Sequence, residues 1–136
     1  LSLAETLWQS GDRKKATDTL QESLLKGPAA AQAEAHYLLG EMAFQPDDTA
    51  EARREWEAAL TCSPMHLEAH RRLMNLERTL AEAYLARKDL QASNVCLAKA
   101  AFHAQYVHEF DPKDETASVL MEQYRKALSK KRGGRR

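Results

Sequence analysis

Five histidines and two cysteines are the residues best suited to chemistry in this 136-residue chain. His66 and His70 stand one helical turn apart, a separation at which two imidazoles can share a metal ion. Between them lies Glu68, so the metalloprotease order H-E-x-x-H is not met, and no third ligand is evident. They read as helix-surface histidines, and no metal is expected. His103 and His108 are five apart and point in different directions on a helix. Cys62 and Cys96 fit no C-x-x-C or zinc spacing and read as two free thiols of a reducing compartment. The sequence holds no Gly-rich phosphate loop and no nucleophile elbow. Neither catalysis nor a cofactor is expected.

The elements that carry these side chains follow from composition. Only five Gly and four Pro interrupt a chain rich in Ala, Leu, Glu and Arg, which predicts a mostly helical single domain. A β-sandwich, a collagen-like chain and a disulfide scaffold are excluded. No apolar run reaches the roughly 18 residues of a membrane span, and no secretory signal is present, so a cytoplasmic protein is expected. The chain begins at Leu1 rather than Met and reads as a piece of something longer, in an Ala/Arg/Leu-rich style that suggests a bacterial source. The net charge of zero hides a split: residues 125–136 hold seven basic groups and no acid, leaving 13 basic against 20 acidic groups elsewhere. An acidic body does not suit nucleic acid. The Ser129–Arg136 tail has no aromatic residue for base stacking; it reads as a solubilising end, with polyanion contact or fold-back onto the acidic body as alternatives.

Small residues recur in register. Ala16, Ala52 and Ser93 are each followed four positions later by Leu20, Trp56 and Leu97, and seven positions later by Ser23, Ala59 and Ala100. Upstream of each stands an apolar-small pair, Leu3-Ala4, Leu39-Gly40 and Leu80-Ala81, followed three residues later by Leu7, Ala43 and Tyr84. One offset of 36 relates Ala16 to Ala52, Leu20 to Trp56 and Pro28 to Pro64; an offset of 41 relates Leu39 to Leu80 and Ala52 to Ser93. The physical reading is a helix pair brought close by small residues, with the large residue of the second helix filling the gap between neighbouring units.

This pattern resembles the tetratricopeptide repeat, whose units carry W-x2-L-G-x2-Y, then A-x3-F, then P. Residues 33–66 match best, with His36-x2-Leu39-Gly40-x2-Ala43, then Ala52-x3-Trp56, Ala59 and Pro64. The resemblance implies an all-α, right-handed solenoid of about three helix pairs (1–30, 31–64 and an elongated 65–112), with a capping helix over 114–130. Together these make one domain over 1–130, followed by a basic flexible tail over 131–136.

Local signals place the helices. The first runs to about Ser10, with Leu1 already inside it; the second spans Asp12–Lys26, and the third runs from about Ala29 to Phe44 after Gly27-Pro28. Asp48 with Glu51 reads as a capping box for the fourth. Ser63-Pro64 reads as N-cap and first-turn proline of a fifth helix that runs unbroken to the Lys88-Asp89 turn, the counterpart of Gly11-Asp12. The sixth spans Asp89 to about Phe110. Asp114 caps a seventh to about Lys130, with Val119, Leu120, Tyr124 and Leu128 as its packing stripe.

In the resembled family the first helix of each pair lines a concave face that holds an extended peptide or partner helix. Carried over residue by residue, that face comprises Glu5, Trp8 and Gln9; Glu34, Tyr37, Glu41, Phe44 and Gln45; and Asn75, Arg78, Glu82 and Leu85. Glu5, Glu41 and Glu82 form an acidic ladder; Trp8, Phe44 and Leu85 form an apolar one. The Lys/Asn/Arg clamp with which chaperone-binding members hold a C-terminal carboxylate is replaced by Glu and aromatics, leaving Arg78 as the lone cation. The resemblance thus implies a non-enzymatic interaction or scaffold module for a protein segment with apolar anchors and basic or neutral flanks. The alternatives are self-association, assembly within a larger protein, or tail-driven binding to nucleic acid or an anionic membrane; neither of the last two is an expected partner.

Overall fold

The computed structural model describes residues 3–133. Among them are seven helices: α1 (Leu3–Gln9), α2 (Arg13–Lys26), α3 (Ala29–Ala43), α4 (Ala50–Cys62), α5 (Leu67–Ala86), α6 (Leu90–Phe110) and α7 (Glu115–Gly133). No strand occurs among the described residues; the single β-bridge joins Gln45 to Asp48 in the turn before α4. No helix among them is long and apolar enough to cross a membrane. The expectation that Leu1 is helical falls outside the described residues. The chain gathers into two compact units, Leu1–Ala69 and His70–Arg136.

In the first unit consecutive helices pack: α1 on α2, α2 on α3, α3 on α4. The residues that permit this are small. Ala4, Ala16, Ala33, Ala35, Ala52 and Ala59 are all buried, and Leu20 and Leu38 fill the spaces between them. The closest approach is at Gly40, where a Cβ atom would come within 2.5 Å of Cδ1 and Nε1 of Trp56. Trp56 is 2% exposed and its ring lies 5.8 Å from that of Phe44. The reading from sequence put Trp56 between the second and third repeat units. Its contacts with Gly40 and Phe44 lie within the α3/α4 pair, where glycine leaves a ring-sized recess on the facing helix.

The second unit is built on α5, α6 and α7, with Leu73 and Met74 from α5, Ala100, Ala104 and Val107 from α6, and Ala117 and Leu120 from α7 all buried. The Ser93 hydroxyl donates 2.7 Å to the Ala81 carbonyl, tying α6 to α5 at the small residues of both helices. This bond satisfies a buried hydroxyl where the earlier units place alanine.

The turns at Gly11-Asp12 and Lys88-Asp89 share one geometry. Gly11 and Lys88 both take positive φ, 90° and 62°. The next amide reaches back five residues in each turn, Asp12 to Leu7 and Asp89 to Tyr84, both at 2.9 Å. This is a left-handed helix ending that satisfies the last carbonyls of the helix. Each aspartate then caps the following helix, Asp12 accepting from the Lys15 amide and Asp89 from the Ala92 amide.

Four local expectations are corrected. Thr49, not Asp48, is the N-cap of α4, without a side-chain cap bond; Asp48 instead closes a turn, its amide donating to the Gln45 carbonyl. Ser63 ends α4 rather than starting α5, and the cap of α5 comes from an imidazole: His66 Nδ1 accepts from the Ala69 amide at 3.1 Å. In α7 the buried positions are Ala117 and Leu120, with Tyr124 half-buried; Val119 is 52% exposed and Leu128 is also exposed. The stripe therefore keeps Leu120 and Tyr124 but is phased on the small residue Ala117, which lets α7 lie close to α6. Last, α7 extends to Gly133, so residues 131–133 of the expected tail are helical backbone; 134–136 fall outside the described residues.

Candidate partner-binding concavity

A concavity of about 260 Å³ opens between α1 and α3 in the first unit. From α1 it takes Glu5, Trp8 and Gln9, which occupy one face over one turn; from α3 it takes Tyr37, Leu38, Glu41 and Met42, likewise one turn apart. One carboxylate therefore comes from each helix, and each helix also brings one aromatic ring. The Arg13 guanidinium, from the first turn of α2, lies 4.8 Å from the Trp8 ring centroid. Tyr37 is only 8% exposed and stacks obliquely on His66 at 5.2 Å, so it is a wall of the concavity rather than a freely presented anchor.

Of the eight first-unit residues assigned to the concave face, five meet here and three do not. Glu34 accepts a 2.9 Å hydrogen bond from His66 Nε2. That ring accepts an amide at Nδ1, which fixes its proton on Nε2. Phe44 leans on Trp56 and remains 45% exposed, and Gln45 lies in the exposed turn after α3. The sequence reading missed Leu38, Met42 and Arg13. Leu38 and Met42 belong to the helix turn that carries Glu41, so spacing could have found them. Arg13 meets Trp8 from another helix, and no spacing signals that.

The remaining four assigned residues lie on α5 in the second unit. Arg78 Nη1 donates to Glu82 Oε1 at 3.2 Å along the helix, Asn75 is half-buried, and Leu85 is 57% exposed. Glu82 thus has a cation from its own helix.

Four of the five histidines, His36, His66, His70 and His103, make side-chain contacts between helices. His36 Nδ1 lies 2.8 Å from Glu55 Oε2 and ties α3 to α4. His66 and His70, expected on one helix face, diverge: His66 caps α5, while His70 is buried with its Nδ1 3.0 Å from that of His103 and its ring stacked 4.1 Å from Tyr106. A hydrogen bond between two Nδ1 atoms needs one protonated and one bare nitrogen, so this pair shares a single proton at its contact. No group of three or more metal-ligating side chains occurs among the described residues. Cys62 and Cys96 are both free thiols. At the surface of α7, Arg125 hydrogen-bonds Glu122 and holds its carboxyl below the usual carboxylate range, first by that bond and then by its charge.

Compared with family models and with curated proteins, the chain matches none.

Proposed function

We propose that this chain is a non-enzymatic interaction module. In this reading it is a short right-handed array of helix pairs resembling tetratricopeptide repeats, capped by α7, and it holds a segment of a partner protein against its first helices. The observation that carries this reading is the α1/α3 concavity. The repeat register assigned Glu5, Trp8 and Gln9 of one unit and Tyr37 and Glu41 of the next to a single face, and these five line one recess. Glutamates at equivalent positions would speed and select encounters with basic partners, while the Trp8 ring would contribute more of the affinity than exposed ion pairs worth about 0–1 kcal/mol each.

The test is affinity capture with wild type, Glu41→Lys, Trp8→Ala and a control on α4, Arg54→Glu, whose side chain is 74% exposed. A specific partner should be lost with the first two variants and kept with the third. Loss with Arg54→Glu alone would refute the reading. Self-association is the second reading, favoured by Val95 and Phe102, which are exposed two turns apart on α6. Sedimentation that changes with concentration and reverts on Phe102→Ser would select it.

A further inference from the structure

Building on the self-association reading above, we infer that two copies of this chain pair antiparallel through the outer face of α6, Lys99 of each copy meeting Glu109 of the other. Composition singles out this helix. Of its 21 residues only Lys99 and Glu109 are Asp, Glu, Lys or Arg, whereas α5 holds six such residues in 20 and α7 seven in 19. Few charges together with exposed aromatic rings are the compositional mark of an interface core. Val95 and Phe102 stand two turns apart on the solvent face, each 52% exposed, and Phe110 is exposed at the end of the helix. Tyr106 is half-buried beside Phe102, the two rings meeting edge to face at 5.4 Å. Beneath them Tyr106 stacks on the buried His70, so Phe102 leans on a ring already held in place.

The two charges fix the mode of pairing. Lys99 and Glu109 are both exposed and share the face of Phe102, three residues before it and seven after. They lie ten residues apart, about 15 Å along the axis, too far to meet within one helix. A parallel pair in register would oppose lysine to lysine and glutamate to glutamate. An antiparallel pair about a two-fold axis at the level of Ala104 sets each Lys99 against Glu109 of the partner copy. It also sets each Phe102 against Tyr106 of the partner copy, gathering the rings at the centre. The surface is thus self-complementary, as a two-fold dimer requires. Its extent sets its strength. A helix of 21 residues is about 30 Å long and about 10 Å wide, which gives each copy less than the roughly 800 Å² of a standard interface. The dimer is therefore a weak one, in the high-micromolar range.

The experiment is sedimentation equilibrium of the full 136-residue chain from about 10 µM to about 1 mM. Wild type is compared with Lys99→Glu, Glu109→Lys, the exchange of both, and Phe102→Ser. All three altered positions are exposed, and circular dichroism checks that each variant keeps its helices. Wild type should form dimers and nothing larger. Each single reversal turns two attractive contacts of the dimer into repulsive ones, so it should weaken association about tenfold, an effect that fades with added salt. The double exchange should recover wild-type affinity to within about threefold, and so should an equimolar mixture of the two single variants. Phe102→Ser should weaken association about tenfold or more.

If Phe102→Ser abolished association while the charge variants changed nothing, the antiparallel pairing would be wrong and the self-association reading would stand. Association kept by all the variants would lie on another surface and would overturn the inference. A wild-type chain that stayed monomeric at about 1 mM would overturn both the inference and the self-association reading. The capture experiment above would then decide the partner-binding reading on its own, and loss of the captured protein with Phe102→Ser would assign this face to a different partner.

Discussion

Replacing Gly40 with alanine tests the tightest contact in the first unit. In a helix interior this change ordinarily stabilises, by about 1 kcal/mol, because alanine has the higher helix propensity. Here the new methyl group would sit 2.5 Å from two atoms of the Trp56 ring and 3.1 Å from a third. The ring is rigid and 2% exposed, so it cannot swing into solvent as a long flexible chain would. Overpacking of this kind costs about 1–3 kcal/mol, and the severity of the overlap points to the upper half of that range. Set against the propensity gain, Gly40→Ala should destabilise by about 1–2 kcal/mol. Trp56→Ala should cost about 3–5 kcal/mol through the cavity it leaves. The decisive comparison is the double mutant. With the indole gone, alanine at 40 has space, and Gly40→Ala should now be neutral or stabilising by up to about 1 kcal/mol. Urea unfolding followed by far-ultraviolet circular dichroism on all four proteins gives the coupling. If Gly40→Ala stabilised the wild-type chain, or shifted both backgrounds equally, the close approach of α3 and α4 at this point would be wrong.

In α7, Leu120→Ala should cost about 2–5 kcal/mol, whereas the exposed Leu128→Ala should change stability by less than about 0.5 kcal/mol; thermal melts of the two variants check the phase of that helix. Lys88→Gly should stabilise by about 0.5–1 kcal/mol. The left-handed conformation costs a side-chain-bearing residue about 1–2 kcal/mol, partly offset by the greater freedom of glycine in the unfolded chain. Thiol titration of the unfolded, unreduced protein should find two free cysteines. On acid titration followed by carboxyl chemical shifts, Glu122 should protonate below the usual carboxylate range; the little stability the exposed pair gives is present at neutral pH and disappears as pH falls through that lowered value.

Much of the helical layout was legible because single residues had single physical reasons. Ala16, Ala52, Ser93, Ala59 and Ala100 recur in the sequence at fixed offsets and are buried where helices approach. Asp12, Asp89 and Asp114 each sit one residue before a helix and accept an amide three residues on. The reading failed where one signal had two meanings. Ser63-Pro64 looks like a helix start, but the Ser63 amide closes the end of α4 on the Ala59 carbonyl, and the cap of α5 is His66, a residue type not expected there. Val119 and Leu128 drew the α7 stripe by hydrophobicity, whereas Ala117 sets it by shape. For the candidate site, register along each helix was enough to bring Glu5, Trp8, Gln9, Tyr37 and Glu41 together. The Trp8–Arg13 stack and the diversion of Glu34 to His66 depend on which rotamers meet between helices, and no spacing along the chain encodes that.

The placement of Trp8 and Trp56 gives the protein a spectroscopic division of labour. Both of its tryptophans belong to the first unit; the second contains tyrosines alone among strong fluorophores of that class. Emission excited at the red edge of indole absorbance therefore reports the first unit, while far-ultraviolet ellipticity sums helices from both. One denaturant titration read in both channels yields separate midpoints if the units melt independently and a single superimposable curve if they melt as one. The two indoles are further distinguishable, because Trp56 is enclosed beneath Phe44 and Gly40 and Trp8 lines an open recess. A soluble quencher should extinguish Trp8 first, and a ligand seated between α1 and α3 should shield it.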